Sequence, residues 1–528
     1  MRTIVRDLDG TLLTRGGHGY ADATVPPTGS LEFLKGRGLA RDWSPSMPRA
    51  PGLNGGGAPP PASTKSGLSI ALREDAPSQE EVAAPGGTLD QVSVAFNNAR
   101  WAAGTTGDKW AVYQGPDGYI RLMAWSEGRP WEEVYVSADR GLVVSDLNQA
   151  LDPLPTARPA LAVISGAAAG GRTAVILAWF RPDLDVAVVE LTRTWSAFFG
   201  RYLLHEPVEY RISNSAGTFD EQEQPNLSLV ACQTGEVYLA WARGSGLEWI
   251  RSSSAGDWES ATVQTVPESR ECRFPTLACS GVFTDGGPVV LLAWKATAGT
   301  LDNIACIAGW VGVKGRDDLE GAGTPTEVTA YGRGDGVSGR DPCAWASPSG
   351  TFFIGFNWVG DVAGVLTNDI WVASASAAQV TTGTFGAPEL VSSYHRSGRT
   401  EDGDIVAANF VSGSATDTFS VVTWEEGPLK ENGGATAPFC REIYLATARV
   451  SEPNVWTQWG EETNATAAFI PTDELDPATQ QGQYPCVVLS DTAIRDGEPM
   501  AALSLFWILG QDAEPASIRL LQGDVDDA

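Results

Sequence analysis

Three arginines stand where short apolar strands begin: Arg158 before Pro159, Arg273 before Phe274-Pro275, and Arg340 before Asp341-Pro342. A guanidinium is a planar fork that can pair bidentately with a carboxylate, so three converging on one point could hold an acidic ligand. Two carboxylates sit close together in Asp7-Leu8-Asp9-Gly10-Thr11-Leu12. The three histidines, His18, His205 and His395, are each isolated, which argues against a histidine triad or a His-rich metal cluster. No CxxC pair occurs among the seven cysteines, so no zinc site is assigned. This inventory yields no catalytic residue, metal or cofactor, and leaves Arg158, Arg273 and Arg340 as candidate ligand-binding residues.

Composition narrows the elements that could position such groups. Hydrophobic residues make up 43% of the 528, charged residues only 19%, with 59 Gly and 33 Pro. That is the balance of many short strands punctuated by turns. A net charge of -29 argues against a nucleic-acid partner, because neutralising phosphates takes clustered Lys and Arg. The N-terminus has too short an apolar run for a secretion signal, and no stretch approaches a membrane span. Synthesis and first folding in the cytoplasm are expected. Cys232, Cys279, Cys306, Cys343 and Cys486 lie in apolar runs, with Cys272 and Cys440 nearer to turns. All seven read as small buried hydrophobes and not as a disulfide framework.

The organising signal is a repeat. A strand ending in an apolar residue, any residue and Trp recurs at Trp125, Trp179, Trp241, Trp294, Trp358, Trp424 and Trp507, at separations of 54, 62, 53, 64, 66 and 83. Such spacing suits four-stranded blades of a propeller with their loops. Five units open with Pro and a short apolar strand, at Pro159, Pro225, Pro275, Pro342 and Pro485. Proline is tolerated at the first residue of a strand because no ladder bond is lost there. Recurrence at one strand position makes the seven Trp core residues, all expected to be largely buried. The predicted fold is all-β: a seven-bladed β-propeller over 89–528, preceded by an extended Pro/Gly-rich arm over 1–88.

Between the third and fourth strands, Ser213-Asn214-Ser215-Ala216-Gly217-Thr218-Phe219 and Ser252-Ser253-Ser254-Ala255-Gly256-Asp257-Trp258 resemble the Asp-box of sialidase-like propellers. Both are one residue short of that pattern and carry Ser where the family has Asp. Thr382-Gly383-Thr384-Phe385-Gly386-Ala387-Pro388 keeps only its tail. The resemblance implies a structural turn with a buried aromatic, and an arginine cluster for a substrate carboxylate in the active members. Cys272-Arg273-Phe274-Pro275 is the nearest match to the motif of the first arginine, but falls in the fourth unit and not the first. No Tyr and Glu pair with a supporting motif accompanies it. Asp7 to Leu12 is similar to the first motif of haloacid-dehalogenase phosphatases, yet a Pro/Gly arm follows where that chemistry needs a βαβ sheet.

The functional expectation is a non-catalytic structural or receptor-contacting subunit of a large assembly such as a phage tail, located in the virion. Its partners would be other assembly subunits, held through the arm, and a host-surface glycan. The alternative is a sialidase-like exo-glycosidase or a glycan-binding lectin. Ring closure is expected from Gln91–Phe96 pairing beside Ser517–Leu521.

Overall fold

The computed structural model describes strands at 68–72, 80–83 and 89–96. Between 109 and 527 it describes strands and tight turns, without the segments 143–158, 213–226, 311–324, 330–336, 393–404, 430–441 and 459–480 and some shorter ones. The chain is all-β, with seven antiparallel sheets among the described residues. Two strands from the expected arm come first, β1 (Leu68–Leu72) and β2 (Glu80–Ala83). Sheet I is β3 (Leu89–Phe96), β4 (Lys109–Gln114), β5 (Tyr119–Trp125) and β6 (Glu132–Arg140). Sheet II is β7 (Ala160–Ile164), β8 (Ala174–Phe180) and β9 (Val186–Ser196), with β10 (Arg201–Leu204) and β11 (Val208–Ile212) both on β9. Sheet III is β12 (Leu227–Ala231), β13 (Val237–Arg243), β14 (Gly246–Ser252) and β15 (Gln264–Thr265). Sheet IV is β16 (Glu271–Thr284), β17 (Gly287–Ala298), β18 (Leu301–Trp310) and β19 (Thr326–Glu327).

Sheet V is β20 (Val337–Ala346), β21 (Thr351–Val362), β22 (Val365–Ser376) and β23 (Glu389–Leu390). A single helical turn, α1 (Ala377–Val380), follows β22, capped reciprocally by Ser376 and Gln379. Sheet VI is β24 (Ile405–Ala415), β25 (Phe419–Leu429), β26 (Glu442–Arg449) and β27 (Thr457–Gln458). Sheet VII runs β28 (Gln481–Leu489), β30 (Glu498–Gly510), β31 (Ser517–Asp527), β1, with β29 (Ala493–Arg495) on β30 and β2 on β31. The first strand of each sheet packs against the first strand of the next, from β3 through β7, β12, β16, β20 and β24 to β28, and β28 packs against β3.

Those first strands are also tied by side chains. Ser228 Oγ accepts from Leu277 N–H at 3.0 Å, Thr276 Oγ1 from Ala344 N–H at 2.8 Å, and Ser412 Oγ from Val487 N–H at 3.2 Å. Each of these hydroxyls faces the residue just before a core tryptophan: Ala240, Ala293 and Thr423. Cys486 faces Phe506 in the same way, ahead of Trp507. In sheet V, Cys343 faces Gly355, so the core slot there belongs to Phe356.

That register corrects the expectation of seven buried tryptophans. Trp179, Trp241, Trp294, Trp424 and Trp507 are fully buried on the second strands of their sheets. Trp358 lies two residues past the slot that the fully buried Phe356 fills, and is half-buried. Trp125 ends the third strand of its sheet, because β3 has taken the first place, and its side chain lies outside the described residues.

Closure also differs from expectation. Leu89–Phe96 pairs with β4 and starts sheet I. Sheet VII is completed by β1, with Leu68 opposite Asp527 and Leu72 opposite Gly523, and by β2 along Ile518–Leu520. The physical need was read correctly, since β31 would otherwise expose an unpaired edge. The strands that meet it come from the segment read as arm, where Leu68–Leu72, four of its five residues apolar, lies beyond the Pro/Gly stretch.

Candidate binding face

In sheets IV to VII the first strand is broken at one level. The register skips between Arg273 and Thr276, Arg340 and Cys343, Asn409 and Ser412, and Gln483 and Cys486. Each skip is a bulge, which bends the strand and redirects the side chains beside it. Phe274, Asp341 and Phe410 occupy the first bulged place with φ of 51°, 47° and 54°, in the left-handed region that costs a non-glycine residue about 1–2 kcal/mol. Pro275, Pro342 and Pro485 fill the second place, so they lie inside strands and not at their starts. An unpaired bulge residue needs no N–H, and proline is accepted there for that reason. Pro159 does precede its strand, and Pro225 lies outside the described residues.

Three of the four bulges sit beside polar cross-strand pairs, whereas in sheet VII Gln483 lies opposite Ile508. Arg273 lies opposite Lys295, Arg340 opposite Asn357, and Asn409 opposite Glu425. Residues directly opposite in an antiparallel pair project from the same face. Asn357 and Glu425 are each only 1% exposed, and polar groups are buried at that depth only with partners. Asn357 Nδ2 donates to Asp341 Oδ2 at 3.4 Å. Lys295 Nζ stands 5.2 Å from the centre of the Phe274 ring, a cation over an aromatic face. In sheet V, the half-buried Trp358 and Trp371 rings lie 6.0 Å apart at 38°. Across three adjacent sheets the level therefore changes from two cations, through a cation with an amide and a carboxylate, to the buried Glu425 carboxylate.

Of the arginines expected to bind, Arg273 and Arg340 occupy equivalent bulge positions on touching strands. They do not act as one fork. Arg273 donates to the Gly244 carbonyl in the β13–β14 turn and pairs with Glu271 Oε1 at 2.8 Å, leaving its side chain 13% exposed. Arg340 is exposed. Arg158 lies outside the described residues, as do Asp7 to Leu12 and Ser213 to Phe219. Lys295, Asn357, Glu425 and Asp341 escaped the sequence reading. A signal for two of them existed, because Lys295 and Glu425 directly follow a repeat tryptophan.

The segment from Ser252 to Trp258 does connect the third and fourth strands of sheet III, with Trp258 buried. Its carboxylate works from a different place than in the resembled pattern: Asp257 Oδ2 accepts from both the N–H and the Oγ of Ser253, at 2.9 and 2.7 Å. Trp258 Nε1 donates to the buried Glu190 Oε2 of sheet II at 3.3 Å, joining two sheets. Phe385, in the third box-like segment, packs against the core between sheets IV and V.

A second polar cluster is held by ion pairs. Arg181 Nη1 meets Asp139 Oδ2 at 3.0 Å and Glu209 Oε1 at 3.1 Å, while Arg211 reaches Asp183 at 2.8 Å and also Asp185. Burial raises the Glu209 pKa, with Arg181 opposing it. Burial and the nearby Glu209 and Asp139 charges keep the Tyr135 phenol protonated far above its ordinary range. Among the described residues no group of three or more His, Cys, Asp or Glu could hold a metal ion. No described helix is long and apolar enough to cross a membrane.

No protein-family model matches the chain, and no curated protein matches it either. Solved structures resemble it distantly. A protein of unknown function from Dyadobacter fermentans is 10% identical, with 88% of this chain and 100% of that chain covered and a TM-score of 0.38. The BP39L lectin from Burkholderia pseudomallei is 13% identical, covering 69% and 82%, with a TM-score of 0.36. The GH93 α-L-arabinofuranosidase of Fusarium graminearum is 9% identical, covering 86% and 98%, with a TM-score of 0.37. At such scores the likenesses assign neither ligand nor reaction, and the geometry of the bulged strands has to carry the functional argument.

Proposed function

We propose that the seven sheets are the blades of a seven-bladed β-propeller closed by β1 and β2, and that the chain is a non-catalytic binding module. Its bulged face takes a neutral, hydroxyl-rich ligand of the glycan class. The observation that carries this reading is the repetition of one strained bulge at one level of successive first strands, beside the Arg273/Lys295, Arg340/Asn357 and Asn409/Glu425 pairs. Strain repeated in register is retained where it aims side chains. Arg340, Lys295, the Asp341 carboxylate and the half-buried Phe274, Trp358 and Trp371 offer both hydrogen-bonding groups and flat apolar faces, which suits a sugar ring. The net charge of -29 works against an anionic one.

Titration calorimetry of the full chain against a panel of neutral oligosaccharides tests the reading. Binding should weaken about tenfold in Arg340→Ala, the loss of one charge-assisted hydrogen bond. A panel without binding at millimolar concentration would remove the proposal. Sialidase turnover is not expected, because Arg273 is engaged by Gly244 and Glu271. A fluorogenic sialoside cleaved by wild type and not by Arg273→Ala would reverse that.

A second reading, a subunit of a virion, draws on the anchoring of β1 in sheet VII. It makes the Pro/Gly-rich residues 1–67 a tether leaving the ring, in place of an arm over 1–88. Mass spectrometry of purified particles tests it, and absence of the chain from them ends it.

A further inference from the structure

We propose that Cys232 and Cys279 form a disulfide that crosslinks sheets III and IV when a small-molecule disulfide is present. Cys232 directly follows β12, and Cys279 lies in β16, the first strand of the next sheet. The topology sets these strands side by side, and Ser228 Oγ and Leu277 N–H fix their offset at 3.0 Å. The two sulfurs are 2.8 Å apart. That is closer than unbonded sulfurs rest and within about 1 Å of a bonded pair.

The other described cysteines offer a contrast. Burial pushes the Cys272 and Cys306 thiols up to about 12, as befits small inert hydrophobes. Cys232 is likewise buried and its thiol is pushed up, but Cys279 is half-buried and can meet an oxidant.

The chemistry balances with glutathione disulfide as oxidant. Cys279 thiolate attacks one sulfur of glutathione disulfide, breaking its S–S bond and releasing one glutathione thiolate, which takes up the proton lost by Cys279. Cys232, as thiolate, then attacks Cys279 Sγ in the mixed disulfide and expels the second glutathione, which takes the Cys232 proton. Two cysteine sulfurs have been oxidised by two electrons in total, and one glutathione disulfide has been reduced to two thiols.

Cys279 on β16 lies well past the bulge at Arg273, and Cys232 lies just after the end of β12, so the crosslink is independent of any ligand on the bulged face. Closing the long loop between the two residues restricts the unfolded chain and should raise the thermal midpoint by roughly 5 °C.

The full chain is incubated with reduced or oxidised glutathione, denatured, alkylated and weighed. Oxidation should lower the alkylated thiols from the seven of the sequence by two. A non-reducing tryptic digest should then link the peptide over 212–243 to that over 274–295, each of which carries one cysteine. Cys279→Ala and Cys232→Ala should each abolish both the link and the thermal shift, while Cys306→Ala keeps them. Seven alkylated thiols after oxidation, or a link between other cysteines, would overturn the assignment. Either single variant suffices if the other fails to fold.

Discussion

Sheets II and III on one side and sheets IV to VI on the other are built from the same unit and differ at one level. In β7 and β12 the described ladder begins about at that level, with Ala160 opposite Ala178 and Leu227 opposite Trp241, and the residues after the core tryptophans are the buried Phe180 and Ala242. In β16, β20 and β24 a bulge interrupts the strand at the corresponding level, and Lys295, Asn357 and Glu425 take the place of Phe180 and Ala242. An apolar residue at that place seals a sheet to its neighbour. A polar one needs partners at that depth. In sheet VII the same bulge stands beside an apolar residue, Ile508, so the polar places are particular to sheets IV to VI.

The largest effect should come from removing what both sets of sheets depend on, the closure of sheet VII. A chain lacking residues 1–67 should fold like wild type, whereas one lacking 1–88 loses β1 and β2 and exposes the β31 edge. The shorter chain should aggregate on heating and melt well below the other by calorimetry. Coincident melting curves would mean that the ring closes without these strands.

The core slot is the next test. Trp241→Ala removes a fully buried indole whose Nε1 donates to Glu248 Oε2 at 2.8 Å, and should cost about 3–5 kcal/mol in urea unfolding. Phe356→Ala should cost a similar amount. Trp358→Ala, outside the slot, should cost only about 1 kcal/mol. Reversal of the Phe356 and Trp358 results would refute the two-residue offset in sheet V.

That offset illustrates what was legible and what was not. The all-β class and the repeated unit were readable because apolar strands, turn residues and Trp recur at steady spacing. A one-dimensional repeat nevertheless treats Trp358 as equivalent to Trp294, since nothing local to Phe356-Asn357-Trp358 records that Cys343 faces Gly355 and so leaves the core slot to Phe356. Register is settled between strands. The same holds for Arg273, whose motif was visible but whose partners, Gly244 and Glu271, are fixed by a turn in the preceding sheet and by its own strand. The Cys232–Cys279 pair was hidden for a like reason, because two residues far apart in the chain meet only through the packing of neighbouring first strands.

A smaller effect should follow from easing the bulge itself. Asp341 holds φ at 47°, a conformation glycine adopts without penalty. Asp341→Gly should raise stability by about 0.5–1 kcal/mol, less whatever its contact with Asn357 contributes. The same variant should weaken ligand binding on the bulged face, since the strained residue presents a carboxylate there. A loss of stability larger than 1 kcal/mol would mean that the bulge is held for packing and not for presentation.

The smallest effect belongs to sheet II. Glu209 stands in the Arg181 cluster, and its pKa is raised above the ordinary 4.5, chiefly by desolvation, with Arg181 pulling the other way. A carboxyl raised in the folded state binds its proton more tightly there than in the unfolded chain. The stability it contributes is therefore fully present below the unfolded value and is lost as pH rises through the folded one. Wild type should lose a little stability across that window, and Glu209→Gln, which carries no titrating proton, should not. The variant also gives up the 3.1 Å ion pair with Arg181, but Arg181 keeps Asp139 at 3.0 Å, so its stability at neutral pH should stay close to that of wild type. Thermal midpoints taken from pH 4 upward discriminate the cases. A wild-type midpoint that climbs through the window, relative to the variant, would mean that Arg181 outweighs burial and that the cluster is an ion-pair clamp, not a desolvated seam.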